Sequence, residues 1–370
     1  MNVLARLLAK RIALHGPMTV ADFMAEALGH PEHGYYMKQE PFGAAGDFIT
    51  APEISQMFGE LIGLWCADVW DRLGRPDPFN LVEIGPGRGT LIVDALRAAS
   101  VVPGFRSAAQ LQMVETSPRL RKIQRDALSR GAVAWRDVSW RDGFDQIPAG
   151  PCIVVANEFF DALPAHQFEQ TAQGWRERLV GLADRDGGLG LILAPGPTPA
   201  LFLLSKSASQ YDEAALGEVV EIQPAALTIS RAIGERIAED GGAALFIDYG
   251  HDGGRGDSLQ AVRRHAFHDV LQTPGEADLT VHVNFADLRR SIGDLARCQG
   301  PVGQGAFLTR LGLGVRMEML MKSASTAQTQ AIMTAHQRLS DPAQMGVLFK
   351  AFGVARNGAA PLPGFDEEFA

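Results

Sequence analysis

Short apolar segments alternate with helical segments over residues 79–157, and this alternation limits the possible fold more than any other feature of the chain. In chain order the apolar segments are LVEI, LQMVE, AVAW and CIVVAN, and helical patterns reach about residue 99 and cover residues 117–130. Continuous apolar strands between helices are typical of parallel strands that are covered on both faces. The pattern predicts an α/β fold with a doubly wound, mostly parallel, Rossmann-like sheet.

The sequence predicts three regions around this sheet. Residues 1–75 read as an N-terminal helical lobe, in which Thr50 and Glu53 form a capping-box pair at the start of one long helix. Residues 76–165 and about 224–370 form the core with C-terminal additions. Residues 166–223 form an insertion with an antiparallel meander, because short strands there are joined by polar and glycine turns.

Composition argues against several functional classes. The 370 residues carry a formal charge of −9, which provides no basic surface for nucleic acid. No apolar run approaches the roughly 18 residues that would span a bilayer, so we expect no membrane insertion. The three cysteines are far apart and the histidines show no ligand spacing, so neither a disulfide framework nor a metal site is expected.

The segment LVEIGPGRGT places glycines at positions 85, 87 and 89 directly after the first strand. Glycines in such a turn let a ligand approach the backbone closely. A dinucleotide fingerprint would need glycine where this chain has Thr90, and a P-loop would need a Gly-Lys-Ser/Thr sequence. Glu83 would repel a pyrophosphate but attract an ammonium or sulfonium group. Gly85, Gly87 and Gly89 therefore favour a cationic nucleoside such as S-adenosylmethionine.

Acids follow the later strands as well. Glu115 can accept hydrogen bonds from both hydroxyls of a ribose, and Asp137 is placed to accept from an adenine amino group. Asn157, Glu158 and Asp161 follow the fourth strand. Two carboxylates can bind a planar guanidinium bidentately, so Glu158 and Asp161 are a candidate clamp with Asn157 as polar support. Each acid could instead be a surface residue, and Asp161 could cap the next helix.

Five segments make the chain similar to the MidA-like, or complex I assembly, class I methyltransferases. They are HGYYMKQEPFGAAGDFITAPEISQMFGE (33–60), VEIGPGRGT (82–90), ANEFFDALP (156–164), FIDYGH (246–251) and PGEADLTVHVNF (274–285). The resemblance implies S-adenosylmethionine as methyl donor and a seven-stranded methyltransferase sheet with an N-terminal helical lobe. It also implies an arginine of a protein as acceptor, in a respiratory complex I subunit for the mitochondrial members.

The resemblance also implies roles for particular residues. The glycine loop with Glu83 matches the cofactor loop of the family, Glu115 its ribose acid, and residues 157–161 its active-site segment. Gly46 and Asp47 lie in a glycine-flanked turn that we expect to close over the methionine end of the cofactor, with Gln56 facing the same site.

The sequence thus predicts an S-adenosylmethionine-dependent methyltransferase that acts on a protein arginine. Two alternatives remain open: a methyltransferase for a small-molecule nitrogen acceptor, and a non-catalytic assembly factor that keeps the fold. The expected location is the cytoplasm for a bacterial protein and the mitochondrial matrix for a eukaryotic one. Nothing in the sequence predicts the oligomeric state.

Overall fold

The computed structural model describes residues 1–38, 49–131, 138–183, 188–205 and 214–365. They form two compact units. Unit 1 comprises the described residues of Met1–Phe48, Asp161–Thr228 and Gly253–Asn284, and unit 2 those of Ile49–Phe160, Ile229–Asp252 and Phe285–Ala370. Among the described residues, none of the helices combines the length and the apolarity that crossing a bilayer requires.

The helices are α1 (Val3–His15), α2 (Val20–Gly29), α3 (Tyr35–Lys38), α4 (Ala51–Ile54), α5 (Gln56–Arg72), α6 (Thr90–Ala99), α7 (Phe105–Ala108), α8 (Pro118–Arg130), α9 (Phe202–Ser205), α10 (Pro224–Asp240), α11 (Phe285–Ile292), α12 (Gln304–Arg310), α13 (Leu313–Met321), α14 (Thr326–Ser340) and α15 (Met345–Leu348). The strands are β1 (Met18–Thr19), β2 (Phe79–Ile84), β3 (Ala109–Val114), β4 (Val138–Arg141), β5 (Cys152–Asn157), β6 (His166–Thr171), β7 (Gly174–Leu182), β8 (Leu189–Leu193), β9 (Val219–Ile222), β10 (Gly242–His251), β11 (Gln260–Arg263), β12 (Ala266–His268), β13 (Asp278–Thr280), β14 (Val283–Asn284), β15 (Arg297–Gly303) and β16 (Phe349–Ala355).

Unit 2 contains the predicted sheet. Its strands lie in the order β15-β16-β10-β5-β2-β3-β4. Neighbouring strands from β10 to β4 are parallel, whereas β16 is antiparallel to both β10 and β15. Leu81 and Ile153 of the sheet share one apolar core with Trp65 of α5 and Leu91 of α6. The predicted mostly parallel α/β sheet is therefore confirmed.

Unit 1 contains the predicted meander. Strands β6, β7, β8 and β9 pair antiparallel, and β1 joins β7. Its core brings together apolar side chains of α1, α2 and the strands, including Leu8, Phe23 and Val180. The antiparallel character predicted for this insertion is confirmed.

The long helix predicted from Thr50 is divided at Ser55, and the predicted capping box is wrong. Ser55 is extended and its hydroxyl accepts from Met57 N, so it starts a second helix. Thr50 makes no side-chain cap hydrogen bond. Instead Ala51 N donates to Glu158 Oε1 over 2.8 Å, while Glu53 Oε1 accepts from Thr90 Oγ1 over 2.8 Å. Partners distant in sequence therefore replace the local capping contacts.

The units do not follow the predicted boundaries throughout. Helix α5 lies in the range predicted as an N-terminal lobe, yet it belongs to unit 2 because its apolar side chains join the core of the parallel sheet. Gly253–Asn284 lies in the range predicted as core, yet it belongs to unit 1, where β11 and β13 pair.

Candidate functional site

The glycine loop of unit 2 connects β2 to α6, as predicted. Gly85, Gly87 and Gly89 have φ values of 66°, 52° and 77°, in the left-handed region that other residues rarely adopt. A Cβ at Gly85 would lie only 2.7 Å from Phe159 Cδ2. The backbone of this turn, and not a side-chain preference, therefore requires glycine.

Glu83 is a buried acid with an unused acceptor. Its side chain is 3% exposed, and Oε2 has no hydrogen-bond partner among the described residues. Burial raises the pKa of this carboxyl from 4.5 to about 8. Apolar groups from α5 and α6 surround it, including Ile62 and Leu91. Because a buried acceptor without a donor is costly, the site favours a ligand that brings a donor.

Glu115 follows β3 with both carboxylate oxygens oriented. Oε1 accepts from Ser117 N over 2.8 Å and Oε2 from Gln124 Nε2 over 3.2 Å. Burial raises the pKa of Glu115, and these two hydrogen bonds oppose that shift. Gly85 N donates to Val114 O over 3.0 Å, so the glycine loop and Glu115 leave the sheet side by side.

The predicted third strand, AVAW, lies outside the described residues, and the strand after β3 that pairs with it in the structure is β4. It runs over Val138–Arg141, and Glu115 N donates to Arg141 O over 3.0 Å. The acid at its carboxyl end is therefore Asp142, whose carboxylate pairs with Arg121. Asp137 lies outside the described residues, as do Gly46 and Asp47.

Gln56 starts α5 with an exposed side chain. Its amide donates to Glu60 Oε1 over 3.3 Å. Glu60 in turn binds Arg316 through two hydrogen bonds of 2.7 and 2.9 Å. The structure thus places Gln56 beside an ion pair whose carboxylate is buried, and its predicted contact with the cofactor stays a prediction.

Asn157 and Glu158 end β5 in a strained turn. Glu158 has a φ of 49°, which is unfavourable for a residue with a Cβ and is common at functional sites. Its Oε1 accepts from Ala51 N over 2.8 Å and from Asn157 Nδ2 over 3.1 Å. The buried Asn157 Oδ1 has no hydrogen-bond partner among the described residues. The turn thus holds one carboxylate and one free amide oxygen in fixed positions.

Asp248 on β10 supports this turn, and the sequence had suggested no role for it. The side chain is fully buried. Oδ2 accepts from Phe159 N and Phe160 N over 3.1 and 2.9 Å, and Oδ1 accepts from Tyr249 N over 3.0 Å. The sequence feature that could have indicated this role is an acid inside the apolar segment AALFIDYG, because a buried carboxylate is tolerated only when it accepts hydrogen bonds.

Asp248→Asn is expected to destabilise the protein by about 1–3 kcal/mol, because one amide proton of the new side chain must face a buried backbone N–H. Urea unfolding measures the change, with the exposed Asp126→Asn as the matched control. Equal stability of both variants would show that the three hydrogen bonds contribute nothing net.

Asp161 belongs to unit 1, where its environment is acidic. The side chain is buried, and its backbone carbonyl accepts from Val281 N over 3.0 Å. Tyr36 OH donates to Asp278 Oδ1 over 2.9 Å. Burial, then Asp278, then Asp161 raise the pKa of Tyr36. The predicted pairing of Asp161 with Glu158 stays a prediction.

Comparisons with known proteins show which family the chain belongs to. The model of a family of S-adenosyl-L-methionine-dependent methyltransferases matches residues 61–302. The mitochondrial protein arginine methyltransferase NDUFAF7 of Danio rerio is 40% identical over an alignment 366 residues long, and the alignment covers 94% of this chain and 85% of the relative. The Homo sapiens protein of that name is 38% identical over an alignment 370 residues long, and the alignment covers 94% of this chain and 82% of the relative.

A solved structure resembles the whole chain. It is a Burkholderia thailandensis protein bound to S-adenosyl-homocysteine, with a TM-score of 0.84 and 28% identity. The similarity covers 98% of this chain and 94% of that one. Its ligand is the form that S-adenosylmethionine takes after losing its methyl group.

Proposed function

The chain belongs to the family of S-adenosyl-L-methionine-dependent methyltransferases, and from that membership we propose that it methylates the guanidinium group of an arginine in a protein. The relatives named above are protein arginine methyltransferases. The observation that carries the proposal is the carboxylate of Glu158, held in a strained turn at the carboxyl end of β5.

The residues of unit 2 fit the cofactor. Glu83 Oε2, which has no hydrogen-bond partner in the described part of the chain, suits the ammonium of its methionine part. The left-handed glycine loop leaves its backbone open to a ligand. Glu115, with both oxygens oriented by donors, suits the ribose hydroxyls. In this proposal the contact with the adenine that was predicted for Asp137 is assigned to Asp142, which follows β4.

The acceptor chemistry depends on alignment and charge. When bound, the cofactor supplies a methyl group on a positively charged sulfur. The protein must hold an arginine nitrogen in line with the bond that breaks. Glu158 orients the guanidinium through charge-assisted hydrogen bonds and stabilises the cation, which persists because the methylated group loses one proton and keeps its charge. Asp161 is proposed as the second carboxylate, with Asn157 as support.

A respiratory complex I subunit is the partner that the family resemblance suggests. The test incubates the purified chain and deuteromethyl-labelled S-adenosylmethionine with complex I from cells that lack the enzyme, and separately with free arginine and small amines. Mass spectrometry should find the label on an arginine of one subunit. Label on the small molecules alone would favour the small-molecule alternative, and no label anywhere would favour the assembly factor.

Cofactor choice is tested by calorimetric titration with S-adenosylmethionine beside NAD. We expect binding of S-adenosylmethionine alone. Gly87→Val should weaken that binding about tenfold, because a β-branched residue is strained at positive φ. Unchanged affinity in this variant would show that the loop does not contact the ligand.

A further inference from the structure

Gln124 on α8 is a fully buried polar residue that joins three parts of the cofactor side of unit 2. Its Nε2 donates to Gly87 O over 2.9 Å and to Glu115 Oε2 over 3.2 Å. Its Oε1 accepts from Trp140 Nε1 over 2.8 Å. One side chain therefore links the glycine loop, the acid after β3, and strand β4.

The three partners fix the orientation of the amide. The indole N–H of Trp140 can only donate, whereas the carbonyl of Gly87 and the carboxylate of Glu115 accept. Oε1 must therefore face Trp140, and both protons of Nε2 are used. Glutamine meets all three demands, whereas an ionised glutamate could satisfy Trp140 alone and methionine none.

The contact with Glu115 sets the plane of that carboxylate. Ser117 N holds Oε1 and Gln124 holds Oε2, so the carboxylate cannot rotate without breaking a charge-assisted hydrogen bond. The same amide group holds Gly87 O, so the distance between the glycine loop and the acid is fixed as well. Two hydroxyls of a ribose need such a fixed pair of acceptors to bind bidentately.

We propose that Gln124 is a positioning residue for the cofactor, which acts through Glu115 and Gly87 to hold the ribose acid in place. The inference rests on the proposed role of Glu115 toward the ribose. It predicts that loss of Gln124 weakens binding specifically through the ribose hydroxyls.

The test compares the Kd of S-adenosylhomocysteine with that of its 2′,3′-dideoxyribose analogue by calorimetry. The Kd of the analogue divided by the Kd of S-adenosylhomocysteine measures how much the hydroxyl contacts contribute. General damage to the fold affects both values and leaves this ratio unchanged. In the wild type the hydroxyls should improve binding at least tenfold, the value of one charged hydrogen bond. Gln124→Met should reduce the ratio to near one, Glu115→Ala should do the same, and the double variant should show no further loss.

Gln124→Leu is the second variant, because it removes both donors without placing a second carboxyl group beside Glu115. It should lose the ratio like Gln124→Met. A purely structural role would weaken both ligands equally, and an unchanged ratio in both Gln124 variants would overturn the proposal. If Glu115→Ala itself leaves the ratio unchanged, the ribose role of Glu115 fails, and the proposal fails with it.

Discussion

Glu83→Gln is expected to weaken S-adenosylmethionine binding about 100-fold, because it removes the negative charge from the proposed partner of the ligand ammonium. Glu83 is 3% exposed, and its Oε2 has no hydrogen-bond partner among the residues that the structure describes, so little else can replace the lost interaction. Calorimetric titration measures the affinity. 5′-Methylthioadenosine, which carries the adenosine part and no methionine ammonium, is the control ligand, and its affinity should not change.

The same group makes binding depend on pH. With a pKa of about 8, Glu83 is protonated at pH 7 in about nine molecules of ten in the free protein. Binding of a cation favours the ionised form, so association at pH 7 should release nearly one proton. The release should vanish above pH 9, where the group is already ionised. Titrations in buffers of different ionisation enthalpy measure it, and Glu83→Gln should release none of these protons.

The stability of the ligand-free protein should fall as the pH rises, whereas ionisation of Glu83 favours cofactor binding. The pKa of Glu83 is higher in the folded chain than its ordinary value of 4.5, so the folded state binds the extra proton between these pH values. Its contribution to stability is complete below pH 4.5 and falls as the pH rises through about 8. Ligand-free Glu83→Gln should therefore match the wild type near pH 5 and melt at a higher temperature at pH 9.

For the two binding predictions, an unchanged affinity of Glu83→Gln together with no proton release in the wild type would show that Glu83 does not face the ligand.

The sequence predicted the parts of the fold that depend on local pattern. Apolar strands gave the parallel core, and the glycines at 85, 87 and 89 marked a turn that the structure shows at positive φ. Strand β4 was not predicted, because its residues, VSWR, are all only partly buried and carry no apolar run. A short strand at the edge of a sheet has little periodic signal to recognise.

Contacts between distant residues were beyond the sequence. Thr50 and Glu53 fit a capping box by spacing, but Glu158 and Thr90, far along the chain, bind that segment instead. Gln124 gave no signal, since a single glutamine on a helix usually faces solvent. Only the folded sheet brings Gly87, Glu115 and Trp140 around it.

Glu158→Gln is expected to keep cofactor affinity within about threefold and to lower methyl transfer by a factor of about 100–1,000, the usual cost of one lost electrostatic contact to the transition state. Ala51 N and Asn157 Nδ2 both donate to Oε1, so the carbonyl oxygen of glutamine can replace it and keep the turn. The amide nitrogen then occupies the other carboxylate position, where it cannot attract a guanidinium.

Two measurements separate this role from a structural one. Binding of S-adenosylhomocysteine reports whether the turn still supports the cofactor loop, since Phe159 packs against Gly85. Single-turnover methylation of the labelled protein substrate reports transfer itself. Asn157→Asp is the matched control, because it places a second carboxylate beside Glu158 and should weaken the hold of Oε1 without removing charge. Full transfer by Glu158→Gln would remove Glu158 from the acceptor site, whereas joint loss of cofactor binding and transfer would make it a support of the fold alone.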